Sequence, residues 1–204
     1  MTDRLAASSR LSDLGQRFTA SQTAPTVGEV MDAMGPAGLG LVLLVLTLPA
    51  LIPLPGPFGI AFGLAIALIA LQVLLGAIRL WLPAFLRRRT VPQGVLRGIV
   101  DYGVPLMRRL EVWLRPRRLL PLTGRLARIG LAIPLIAMAA TLALPIPFGN
   151  LLPAASLIAF ALGFLTRDGY AVLAGLALSL VALAWTGVLV TFGSRIAAWI
   201  WALF

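Results

Sequence analysis

Three long stretches of this chain carry no charged residue: between Asp32 and Arg79, between Arg128 and Arg167, and between Asp168 and Arg195. Each exceeds the roughly 20 residues that a helix needs to cross a bilayer. A soluble fold has no use for such runs, because in an ordinary globular chain roughly a quarter of residues are charged and are spread along its length. Here 12% of 204 residues are charged and 60% are hydrophobic. The sequence therefore predicts an all-α polytopic membrane protein.

All seventeen basic residues are arginine, and eleven of them fall between Arg87 and Arg128. A net charge of +10 invites a nucleic-acid reading. Clustering in one loop that separates apolar segments fits a membrane-flanking segment better, and no nucleic-acid partner is expected. The loop is short enough for the positive-inside rule, which makes it cytoplasmic. Absence of Cys and His removes disulfides, thiolates, imidazole bases and most transition-metal ligand sets. No cofactor is expected. Residues 1–32 mix arginines with four acids and contain no apolar run of the signal-peptide kind.

The organisation reads as four parts: a polar N-terminal lead (1–25), a first membrane half (26–83), an arginine-rich linker (84–128) and a second membrane half (129–204). Thr26 and Glu29 form a capping-box pattern that starts a helix near Val27, running towards Gly35 and Pro36. Within each half prolines break the apolar run. Residues 49–57 read PALIPLPGP, and Pro145-Ile146-Pro147-Phe148-Gly149-Asn150 interrupts the second half, which Pro153 interrupts again. The arms at 36–52 and 151–166 lie at the lower limit for a full crossing, so re-entrant helices are the alternative to simple hairpins.

The breaks resemble each other: Pro53-Leu54-Pro55-Gly56-Pro57-Phe58-Gly59 in the first half, Pro145-Ile146-Pro147-Phe148-Gly149 in the second. This predicts two related halves, and after each break comes a ladder of small residues at four-residue spacing (Gly59, Gly63, Ala67 and Ala155, Ala159, Gly163) that lets helices approach closely. In the linker, Pro92 opens an amphipathic helix, kinked near Pro105, that lies on anionic headgroups. Arg87, Arg88, Arg89, Arg115, Arg117 and Arg118 are the expected headgroup contacts. Gly169 to Ser194 reads as a clean transmembrane helix.

Polar side chains within the apolar parts are few. Gln72 is expected mid-span, where an amide needs a partner; Asn150 adjoins a break whose free backbone groups can hold an ion or substrate group near the midplane. Arg167-Asp168 is either a surface turn or a compensated pair inside the bilayer. Pro53, Pro55, Pro145 and Pro147, with Gln72, Asn150, Arg167 and Asp168, make up the candidate site. No nucleophile with a base, phosphate loop or carboxylate pair is present, so no enzyme is expected.

Gly35 with its apolar run into Leu48-Pro49, Pro53-Leu54-Pro55, Leu71-Gln72, Leu75-Gly76 and Trp81-Leu82-Pro83 resembles a signature of the ExoD-like exopolysaccharide synthesis family. Leu144 to Phe148, Asn150, Pro153-Ala154 and Arg167-Asp168-Gly169 resemble that family's second signature, and the likeness spans roughly residues 26 to 190. It implies a multi-pass bacterial inner-membrane protein linked to exopolysaccharide production, and supplies no catalytic residue. The function expected is transport or membrane-assembly support for surface polysaccharide or its lipid carrier. The alternative is a scaffold or lipid sensor acting through the linker. Expected partners are the anionic bilayer surface, polysaccharide-assembly proteins and a second copy of the chain.

Overall fold

The computed structural model describes residues 24–51, 58–77, 80–98, 119–144 and 149–201, with Asp101, Pro105 and Arg109 singly. The described chain is helical apart from one isolated bridge between Thr26 and Thr90. Its principal helices are α1 (Val27–Met34), α2 (Gly38–Thr47), α3 (Phe58–Leu74), α4 (Arg125–Ala143), α5 (Leu151–Thr166) and α6 (Gly169–Trp201).

The capping box forms as the sequence implies. The Glu29 carboxylate accepts from the Thr26 amide at 2.7 Å and the Thr26 hydroxyl accepts from the Glu29 amide at 3.2 Å. Gly35 then takes a left-handed φ of 52° and ends α1, a conformation that favours glycine because it has no β-carbon. Gly35–Ala37 and Pro49–Leu51 form 3-10 turns on either side of α2. These leave α2 only 10 residues long, shorter than expected, because Pro49 has no amide hydrogen to donate to the carbonyl four residues earlier. Pro153 does not interrupt α5. It lies in that helix's first turn, where the missing amide hydrogen would have had no partner in any case.

Two antiparallel pairs build the bundle. A β-carbon at Gly63 of α3 would lie 2.7 Å from the Ala139 carbonyl oxygen of α4, and one at Gly59 would lie 2.8 Å from the Leu142 oxygen. The start of α3 therefore runs against the end of α4. One at Gly40 of α2 would lie 2.5 Å from the Ala161 oxygen and 2.7 Å from the Leu165 amide of α5, so α2 and α5 are antiparallel too. Hence α2–α3 and α4–α5 are hairpins that start and finish at the same end of the bundle. The ends of α2 and α4 and the starts of α3 and α5 therefore lie together at the other end. The first-half ladder thus supplies close contacts at Gly59 and Gly63. In the second half Gly163 does so, against Val172 of α6.

α6 packs antiparallel along α5. The Ser156 hydroxyl donates to the Gly175 carbonyl at 2.8 Å, and Phe160 stacks with Phe164 at 6.3 Å between centroids. The common core gathers Leu43, Ile66, Leu135, Met138, Leu142, Leu157, Phe160 and Phe164. Leu126–Ala143 and Gly169–Arg195 are long and apolar enough to cross a membrane, and only 28% of the second is buried in the bundle. Leu64, Leu68, Ile133, Leu180 and Phe192 face outward. Such an apolar exterior is what lipid, not water, would accept.

The start of the linker folds back on α1. Val27 donates to the Arg89 carbonyl at 2.9 Å, Val91 to the Pro25 carbonyl at 2.8 Å, and Arg87 pairs with Asp32 at 2.6 Å. Gln93–Gly98 is the described portion of the helix expected after Pro92.

Candidate functional site

Polar groups collect at both ends of the bundle. At the open end of the hairpins, Arg128 in the first turns of α4 donates from Nε to the Thr123 carbonyl at 3.1 Å and places its guanidinium 5.6 Å from the Phe164 ring centroid. Arg167 is near enough to Arg128 for the two like charges to interact. Arg167 has a left-handed φ of 57° and ends α5. Asp168 follows, 2% exposed. Its amide donates to the Gly163 carbonyl at 3.0 Å, while its Oδ1 accepts from the Tyr170 amide at 2.9 Å. A carboxylate in this position caps α6 and meets the positive end of its dipole. Arg167-Asp168 is thus the joint between two helices.

Gln72, expected in mid-span, lies in the last turn of α3. Its amide group clasps the backbone of Trp81, accepting from the Trp81 amide at 2.6 Å and donating to its carbonyl at 3.1 Å. Both hydrogen-bonding functions of the side chain are used to hold the chain as it leaves the helix. Gln72→Leu should therefore lower stability by about 1–2 kcal/mol, the contribution of two such bonds, read as an earlier thermal transition in detergent. A larger loss of polysaccharide output than of protein level would contradict this structural role.

The proline-break end differs. Asn150 precedes α5, and its side chain makes no capping bond. Its Oδ1 is buried with no hydrogen-bond partner, and its Nδ2 lies 3.3 Å from where a β-carbon on Gly59 would stand. The starts of α3 and α5 therefore adjoin here. Among the described residues one other buried side-chain atom lacks a partner, Oγ1 of Thr186 on α6. Thr186 is 8% exposed. The contacts Gly163–Val172 and Phe160–Gly175 fix the α5–α6 register. Carried along both helices at equal rise, that register brings Asn150 level with Trp185 and Thr186.

Pro53, Pro55, Pro145, Pro147, Arg115, Arg117 and Arg118 lie outside the described residues. Of the remaining linker arginines, Arg87 is tied to Asp32, while Arg88 and Arg89 are exposed. The structure therefore separates the sequence candidates into two ends, with Gln72, Arg167 and Asp168 at one and Asn150 at the other. Sequence reasoning missed Arg128, counted among the linker charges, and Thr186, taken as part of an apolar span. A signal for Thr186 was present: it continues the stripe Val172, Gly175, Ser179, Ala182 at spacings of three and four. Among the described residues no group of three or more acids stands ready for a metal ion.

Comparison with known proteins adds three findings. The family model described as "Exopolysaccharide synthesis, ExoD" matches residues 7–188. The Synechocystis sp. protein slr1875 is 34% identical over 172 residues, covering 83% of this chain and 81% of that protein. Protein ExoD of Rhizobium meliloti is 32% identical over 154 residues, covering 74% of this chain and 64% of that protein. No solved structure gives a significant match.

Proposed function

The chain belongs to the ExoD exopolysaccharide-synthesis family, and from that premise we propose that it is a multi-pass inner-membrane protein that moves a substrate or ion at its paired proline breaks, in support of surface-polysaccharide assembly, without catalysing a reaction. One observation carries the reading: the carbonyl oxygen of Asn150 is buried and unpartnered beside the start of α5. A buried acceptor left unmade costs about 1–3 kcal/mol, which a chain tolerates where a ligand completes the bond. The pairing of α3 with α4 and of α2 with α5 agrees with two halves in parallel orientation. Exchanging the hairpins maps one pair onto the other.

In a bilayer the location of such a site follows from α6. With Asp168 at the arginine-rich interface, Thr186 stands about 27 Å along the helix at 1.5 Å per residue. The hydrocarbon is about 30 Å thick. Asn150 and Thr186 then sit in the leaflet opposite the arginines instead of at the midplane.

The test is complementation of a gene-deletion strain. Asn150→Leu should reach the membrane at the normal level yet restore less than a tenth of the exopolysaccharide. Replacing Arg88 and Arg89 by Gln should restore most of it. The reverse outcome would favour the scaffold reading, in which exposed linker arginines recruit anionic lipid or an assembly protein.

A further inference from the structure

We infer that Thr186 and Asn150 together hold a dehydrated monovalent cation at the proline-break end of the bundle. The inference rests on the reading of that end as the working site and specifies its ligand.

Thr186 departs from the other helical hydroxyls. Thr47, Thr141, Thr166, Ser179, Thr191 and Ser194 each donate to a carbonyl three or four residues earlier in their own helix, and Ser156 donates across to α6. Such a bond is available to any threonine in a helix. The Thr186 Oγ1 makes none although it is buried, and by the α5–α6 register it stands level with the other unpartnered oxygen.

The chemistry of the pair selects its ligand. Asn150 Oδ1 accepts only, and Thr186 Oγ1 can accept through either lone pair. Two hard oxygens suit a hard cation. The C-terminal ends of α2 and α4, whose carbonyls carry the negative end of the helix dipole, are turned to the same end of the bundle. A divalent ion is disfavoured, because calcium and magnesium sites draw on carboxylates and residues 33–78, 129–166 and 169–194 contain none. A phosphate is disfavoured for the same want of charge: no arginine lies in those stretches. The N-termini of α3 and α5 offer donors, but both unpartnered side-chain atoms are oxygens. A monovalent ion is what neutral oxygens alone can hold.

The experiment uses the full chain purified in detergent, with thermal unfolding followed in NaCl, KCl, LiCl or choline chloride at one ionic strength. Sodium at a hundredfold excess over its dissociation constant should raise the melting temperature by about 5–10 °C over choline. Asn150→Ala and Thr186→Val should abolish the shift, and Thr186→Ser should retain it. Valine matches threonine in shape, so a monodisperse Thr186→Val sample that melts near the wild type in choline shows that folding is intact. Equal melting temperatures for the wild type in all four salts would overturn the inference, as would an undiminished sodium shift in both variants. A sodium shift in a protein whose Asn150→Leu variant complements fully would uphold the ion and remove the functional reading. No shift, with complementation lost, would remove the ion and leave that reading in place.

Discussion

Gly63→Val and Gly40→Val should each destabilise the bundle by about 3 kcal/mol, the upper part of the range for overpacking a filled interior. At each position the new β-carbon meets backbone, which cannot rotate away. Gly63 faces the Ala139 oxygen at 2.7 Å and the Ala143 amide at 2.9 Å; Gly40 faces the Ala161 oxygen at 2.5 Å and the Leu165 amide at 2.7 Å. A chain of this length loses about 2–4 °C of melting temperature per kcal/mol, so each variant should melt roughly 10 °C early in detergent. Gly187 supplies the control, since nothing lies within 4 Å of a β-carbon added there. Gly187→Val should melt within about 2 °C of the wild type. The two harmful substitutions act on different helix pairs, α3 with α4 and α2 with α5, and their effects should add in the double variant. If Gly63→Val were silent, the antiparallel crossing of α3 on α4 would have to be wrong.

Asp168→Ala should cost about 2 kcal/mol, and Asp168→Asn about half as much. The carboxylate is 2% exposed and caps a helix of 33 residues. Loss of an N-cap acceptor is worth about 0.5–2 kcal/mol, and loss of a negative charge at a partly buried helix start adds about 0.3–1 kcal/mol. Asparagine keeps the acceptor for the Tyr170 amide and gives up only the charge. Thermal unfolding of the three proteins at one pH checks the order. Equal losses in Ala and Asn would make charge the whole contribution, and would shift attention from the cap to what surrounds the carboxylate. The joint before it involves strain of its own, because Arg167 has a φ of 57° that a glycine adopts more readily.

The fold was legible where the sequence carries backbone logic. Charge-free runs marked α3, α4, α5 and α6; the Thr26–Glu29 box located the start of α1; and the close spacing of Gly59 and Gly63 marked a helix contact. What stayed hidden was which helix meets which. A ladder of small residues announces a close approach but not a partner. Thus the ladder ending at Gly163 announced a close approach without naming Val172 of α6 as its partner, and the approach of Gly40 on α2 to α5 had no such announcement. Gln72 was misplaced for a related reason. An amide nine residues from Trp81 reads as mid-span only if the helix continues, and it stops at Leu74. Of the site, Asn150 was visible because it follows a proline break. Thr186 was not, since a threonine usually satisfies itself on its own helix and only coordinates can show that this one does not.

The unequal length of α5 and α6 bears on the lipid itself. Beyond Thr186 the last helix continues through residues 187–201, about 22 Å at 1.5 Å per residue, past the described ends of the two hairpins beside Asn150. Around α6 a bilayer can keep its ordinary thickness, but over the hairpins it finds a shorter apolar wall, and acyl chains meet such a mismatch by thinning locally. The membrane would then be dimpled on the face opposite the arginines, with water reaching down to Asn150 on one flank of α6. A polar solute arriving there would cross a barrier thinner than the surrounding bilayer, and the single overhanging helix would mark the rim of the depression.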